Sequence, residues 1–81
     1  MTRYYFGKEA AEALIGQRVR SVMEFRGVPA GTTGRVVRAD RTGNDDAYSV
    51  GVEWDLPYRG RPPIDTFSRD EYYTNLEEVL G

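Results

Sequence analysis

Tyr48-Ser49-Val50-Gly51-Val52-Glu53-Trp54 decides the fold class of this chain. Tyr48, Val50, Val52 and Trp54 fall on one side of an extended backbone, and Ser49, Gly51 and Glu53 fall on the other. An apolar side and a small or polar side, alternating with period two, describe a strand that buries one face. The run is bounded by turn chemistry on both sides. Before it, Arg41 to Ala47 contains Thr42-Gly43-Asn44-Asp45-Asp46 and reads as a hairpin loop; after it, Asp55 to Pro63 contains Pro57, Gly60, Pro62 and Pro63 and reads as a long surface loop.

The neighbouring segments repeat the pattern. Gly34 to Asp40 is expected as a strand, Ile64 to Phe67 as a short one, and Gln17 to Met23 as a first strand whose alternation slips between Val19 and Val22. A bulge, or an outward Val22, accounts for that slip. Glu24 to Thr33, with Gly27, Pro29 and Gly31, is a loop. Ser68-Arg69-Asp70-Glu71 has the spacing of a capping box and predicts one turn of helix. Leu76 to Leu80 then supplies a fifth strand or edge segment. Ahead of all this, Gly7 to Gly16 holds good helix formers closed by glycine, with Ala10, Ala13 and Leu14 on one face. The expected organisation is a segment with a short helix over 1–15 and a β domain over 16–81.

Composition narrows the chemistry. The chain has 81 residues, no Cys, no His, 11 basic and 13 acidic side chains, and a formal charge of −2. One small core is all that length supports, burying about 60–65% of the unfolded surface. Without Cys or His there are no disulfides, thiolate zinc sites or histidine-dependent nucleophiles. No defensible catalytic carboxylate pair stands out, so an enzyme is not expected, and no cofactor is implied. Asp45-Asp46, beside Asn44 and Asp40, lacks the spacing of a hard-cation loop and reads as a turn. Gly27, Gly31 and Gly34 are not followed by the Gly-Lys-Ser/Thr of a phosphate loop. No apolar run approaches a membrane span, and Met1 to Phe6 lacks the pattern of a signal peptide, so the expected location is the cytoplasm without membrane insertion.

Five short strands, a long first loop and a helical turn before the last strand give the order of an SH3-like small barrel. The likeness becomes more specific in Gly34-Arg35-Val36-Val37, in Tyr48 to Asp55, in the Tyr58-x-Gly60 loop, in Thr66-Phe67-Ser68-x-Asp70-Glu71 and in Leu76-Glu77-Glu78-Val79. Residues 16–80 resemble the small electron-transport accessory barrels. That group includes the peripheral ferredoxin-docking protein of photosystem I and the variable chain of ferredoxin–thioredoxin reductase, and the C-terminal barrel of the nitrile hydratase β chain shares the architecture. The resemblance implies a mainly β, five-stranded SH3-like barrel and a non-catalytic accessory subunit or adaptor. Its partner would be a larger protein complex, ferredoxin-dependent or built on another redox enzyme. Two features lie outside the likeness: the N-terminal helix, and a Glu24–Thr33 loop without the aromatic pair of the photosystem protein.

The candidate docking residues are Tyr58, Arg59 and Arg61. Prolines stiffen their loop and limit the entropy lost on binding, and Tyr and Arg are enriched at interface hot spots. The resemblance matches Arg59 and Arg61 to a basic loop that meets acidic ferredoxin. Arg35 and Arg38, with Arg18 and Arg20, add a basic stripe if strand pairing brings them to one outer face. Ten of the 11 basic residues are Arg, the side chain suited to bidentate and stacked contacts. Trp54 belongs to the core by its phase, the alternative being an aromatic groove with Pro57-Tyr58. A second functional class is RNA binding, as in SH3-like barrels of the KOW and ribosomal-protein type, with arginines on phosphate and exposed tyrosines on bases. The acidic overall balance stands against it.

Overall fold

The structure is a computed structural model that describes residues 5–24, 26–43 and 47–80. Its elements in chain order are α1 (Lys8–Ala13), β1 (Arg18–Ser21), β2 (Thr33–Arg41), β3 (Tyr48–Trp54), β4 (Ile64–Phe67), α2 (Arg69–Asn75) and β5 (Leu76–Glu78). The protein is mainly β. The five strands form one antiparallel sheet in the order β4-β3-β2-β1-β5. The sheet is open, with β4 and β5 at its two edges.

The apolar side of β3 falls as the sequence predicts, but Ser49 and Gly51 on its other side are buried as well, Gly51 against the Arg38 side chain. Val50, Val52 and Trp54 are buried, Trp54 to 2% exposure, while Tyr48 is half-buried and packs against the core. Val19 of β1, Val36 of β2, Phe67 of β4 and Leu76 of β5 complete the inner face of the sheet. Phe6, Ala11, Val28 and Tyr72 cover it from outside the strands. Trp54 is a core residue, and its indole Nε1 donates to Asp65 Oδ2 at 2.8 Å, which satisfies the one polar atom that its burial would otherwise strand. Its ring meets Phe67 edge-on with centroids 6.2 Å apart.

The first strand is shorter than expected and contains no bulge. Val19 and Ser21 point inward, β1 ends at Ser21, and Val22 is exposed, its backbone N–H bonded to the Asn75 carbonyl at 2.9 Å. The irregularity lies instead in β2. Val36 pairs with Val52, but the next aligned pair is Arg38 with Gly51, so Val37 is an extra residue. Arg35 and Arg38 are an odd number of positions apart and would face opposite sides of a regular strand; the bulge returns both to the outer face.

At the N-terminus the expected helical face is displaced. Ala11 is the buried position, Ala10 and Ala13 are exposed and Leu14 is half-buried. The cause is the segment before the helix. Phe6 forms an isolated antiparallel bridge to Tyr48, with N–H···O bonds of 2.9 and 2.8 Å, and is itself buried. That anchor sets the rotation of α1 and turns Ala11 onto the core that the sheet builds. The capping box is present: Glu71 N–H donates to Ser68 Oγ, and Ser68 N–H donates to Glu71 Oε1. It opens seven residues of helix rather than the single expected turn, because Tyr72 is buried and its hydroxyl donates to Glu78 Oε2 on β5.

Candidate functional site

The outer face of the sheet collects the predicted stripe. Arg18 pairs with Arg35 across β1 and β2, Arg35 with Glu53 across β2 and β3, and Arg20 with Glu77 across β1 and β5. Carboxylates answer nearly every guanidinium. Arg18 Nη2 lies 2.8 Å from Asp55 Oδ2, Arg20 Nη2 lies 2.7 Å from Glu77 Oε1, and Arg38 Nε lies 2.7 Å from Asp40 Oδ2. Arg35 faces Glu53 in register and adds its field to that of Arg18 at Asp55. The stripe is real as geometry, and its charge is largely internal. Such exposed pairs contribute little stability each, about 0–1 kcal/mol, but they cancel the long-range field that an excess of arginine would project.

Asp55 is the most connected carboxylate of this face. Its Oδ2 accepts from Thr33 Oγ1 at 2.7 Å and from Arg18. The Thr33 hydrogen bond holds its pKa below the ordinary value; burial opposes it, and the bond and charge of Arg18 and the charge of Arg35 add to the lowering. Asp55 therefore stays ionised and pins the start of the β3–β4 loop to β1 and β2.

Beyond that pin the loop is different. Tyr58 is 53% exposed, and Arg59, Gly60 and Arg61 are exposed beside it. Gly60 takes φ +79°, a left-handed conformation that suits glycine and turns the chain back toward Pro62-Pro63. Neither Arg59 nor Arg61 has an ion pair or side-chain hydrogen bond among the described residues. Trp54 N–H bonds the Pro63 carbonyl at 2.9 Å and Asp55 N–H bonds the Thr33 carbonyl at 2.9 Å, so both ends of the loop are fixed to the sheet. Tyr58, Arg59 and Arg61 thus sit together on one anchored loop, and Arg35 and Arg38 sit together on the outer sheet face. No hydrogen bond or ion pair among the described residues joins the two groups.

A third surface is not visible as a candidate in the sequence. Between α1 and α2 runs a groove of about 350 Å³ lined by Tyr5, Phe6, Leu14 and Tyr73 among others. Tyr73 is 60% exposed and stacks edge-on with Tyr72 at a centroid distance of 5.1 Å. The only sequence signal for it is the pair Tyr72-Tyr73, where one ring has to be outward if the other is inward. That becomes readable once the helix is known to exceed a single turn.

Asp45 and Asp46 of the hairpin loop lie outside the described residues, and among those described no group of three or more His, Cys, Asp or Glu could hold a metal ion. No described helix is long and apolar enough to cross a membrane. No protein-family model, curated protein or solved structure matches the chain.

Proposed function

We propose that the protein is a non-catalytic interaction module on an SH3-like small barrel, an accessory subunit or adaptor of the cytoplasm that docks on a larger protein complex through its 55–63 loop. The observation that carries this reading is the contrast among its arginines. Arg18, Arg20 and Arg38 are engaged by Asp55, Glu77 and Asp40, while Arg59 and Arg61 extend from an anchored, proline-stiffened loop with no carboxylate partner among the described residues. An exposed Tyr beside such arginines on a rigid backbone is the composition of an interface hot spot. The barrel reading draws support from the strand order, from the helix between β4 and β5, and from the core, in which Phe67 of one edge strand and Leu76 of the other join a single cluster. The family resemblance supplies the kind of partner, a redox enzyme complex.

RNA binding is served less well: phosphate recognition needs several guanidinium groups free of local carboxylates, and on the sheet face Arg18, Arg20 and Arg38 are already engaged, which leaves the two loop arginines. Affinity capture from native lysate, with the wild-type chain and the Arg59→Glu/Arg61→Glu variant side by side, tests the proposal. Partners retained by the wild type and lost by an equally stable variant are the expected result. Identical recovery by both removes the loop from the interface. Retention of nucleic acid instead, weakening steeply with salt, replaces the proposal with the RNA reading.

A further inference from the structure

Ser49 is 3% exposed, yet its hydroxyl makes no side-chain hydrogen bond among the described residues and is not sealed from solvent. It stands on the outer side of β3, beside Gly51, and lines a shallow depression of about 530 Å³. Tyr5 forms one wall, Thr42, Thr66 and Ser68 contribute hydroxyls, and Asp70 and Glu71 contribute carboxylates. That volume lies in the roughly 300–1,000 Å³ range of small-molecule sites.

The lining discriminates among ligand classes. One aromatic side chain and no Leu, Ile, Val or Met lines it, which disfavours a purely apolar ligand, and two carboxylates repel an anion. A cation is served weakly: Glu71 Oε1 is committed to the Ser68 N–H, and Asp70 lies in the first turn of α2, where unpaired backbone N–H groups offset its charge. Groups that both donate and accept, carboxylate oxygens that accept, and one aromatic face match a ligand with several adjacent hydroxyls on an otherwise apolar ring. We infer that this depression is a binding site for a saccharide unit, with Ser49, Thr66 and Asp70 bonding its hydroxyls and Tyr5 packing against its ring. The site is independent of the 55–63 loop, so the protein can hold a sugar and a protein partner on different surfaces.

The test is a titration of the isotope-labelled full chain, followed by amide chemical shifts. The probes are D-glucose, D-galactose, N-acetyl-D-glucosamine, maltose and N,N′-diacetylchitobiose, with arginine amide as the cationic comparison. The expected result is saturable millimolar binding of at least one sugar, with shifts confined to Tyr5, Ser49, Thr66 and the start of α2. Ser49→Ala weakens it by about two- to tenfold, the value of one hydrogen bond, with an unchanged melting curve. Asp70→Asn, which keeps an acceptor but loses the charge, leaves sugar binding within about twofold. Three results overturn the inference: no saturable shift with any sugar, sugar shifts that leave Ser49 and Thr66 untouched, or arginine amide binding at the same residues and lost in Asp70→Asn.

Discussion

Two glycines in the adjacent strands β2 and β3 make opposite predictions under the same substitution. A methyl group built at Gly34 falls 2.7 Å from the Glu53 carbonyl oxygen, 2.9 Å from Trp54 Cε3 and 3.0 Å from Val52 Cγ1. Comfortable carbon contacts lie near 3.5–4.0 Å. The carbonyl belongs to the β2–β3 ladder, and Trp54 is held by its hydrogen bond to Asp65, so neither neighbour has room to retreat. Overpacking of this kind costs about 1–3 kcal/mol or somewhat more, set against about 0.4–1 kcal/mol gained by restricting the unfolded chain. At Gly51 the methyl group meets only Arg38, with Cγ at 2.8 Å and Nε at 2.9 Å. That side chain is flexible and half in solvent, and swinging it aside gives up an exposed pair with Asp40 worth at most about 1 kcal/mol. Gly34→Ala is therefore expected to lose about 1–3 kcal/mol in urea denaturation, a shift of about 4–8 °C in Tm for each kcal/mol, while Gly51→Ala stays within about 0.5 kcal/mol of wild type. In the Arg38→Ala background, Gly51→Ala becomes neutral or stabilising. Equal midpoints for Gly34→Ala and wild type, or a loss at Gly51 as large as at Gly34, refute the close packing of β2 on Trp54 and the draped position of Arg38.

Other perturbations probe separate parts of the molecule. Trp54→Ala is expected to cost about 3–5 kcal/mol, whereas Trp54→Phe, which keeps most of the apolar volume but leaves Asp65 Oδ2 without its donor, costs about 1–3 kcal/mol; equilibrium denaturation distinguishes them. Asp55 has a lowered pKa in the folded protein, so the unfolded chain binds its proton more readily. Its stabilising contribution is complete above the ordinary carboxylate pKa of about 4 and is lost as pH falls through the lowered value. Asp55→Asn should flatten the acid limb of a stability–pH profile, and an unchanged limb contradicts that role. Tyr72 has its pKa pushed well above the ordinary phenol value, first by burial and then by its bond to Glu78. Its contribution is full below about pH 10 and falls above it, so absorbance titration should show this phenol ionising only with unfolding.

Local pattern carries the fold further than the sites. Alternation in Tyr48 to Trp54 and the Ser68/Glu71 cap are legible in the sequence because each depends on neighbours within a few residues. The length of α2 is not, since its second turn is sustained by Tyr72 reaching the core and Glu78. The buried face of α1 is hidden for a similar reason: its rotation is set by the bridge of Phe6 to Tyr48, a contact across some forty positions of chain. Arg35 and Arg38 are recognisable as candidates, but the bulge at Val37 that puts them on one face, and the carboxylates that answer Arg18, Arg20 and Arg38, are products of strand register. Ser49 reads as a solvent-side residue of a strand. Its low exposure, and the depression that it shares with Tyr5, Thr66 and the start of α2, follow from tertiary structure alone.

The central claim is that the 55–63 loop is where another protein is held. Site-specific photo-crosslinking tests it most directly, with a benzoylphenylalanine placed at Tyr58 and, in a separate chain, at the exposed Glu12 of α1. The expected result is a discrete protein adduct from position 58 that is absent from position 12 and disappears when Arg59→Glu and Arg61→Glu are added. Adducts of equal yield from both positions, or an adduct from position 58 that survives the loss of both arginines, contradict it.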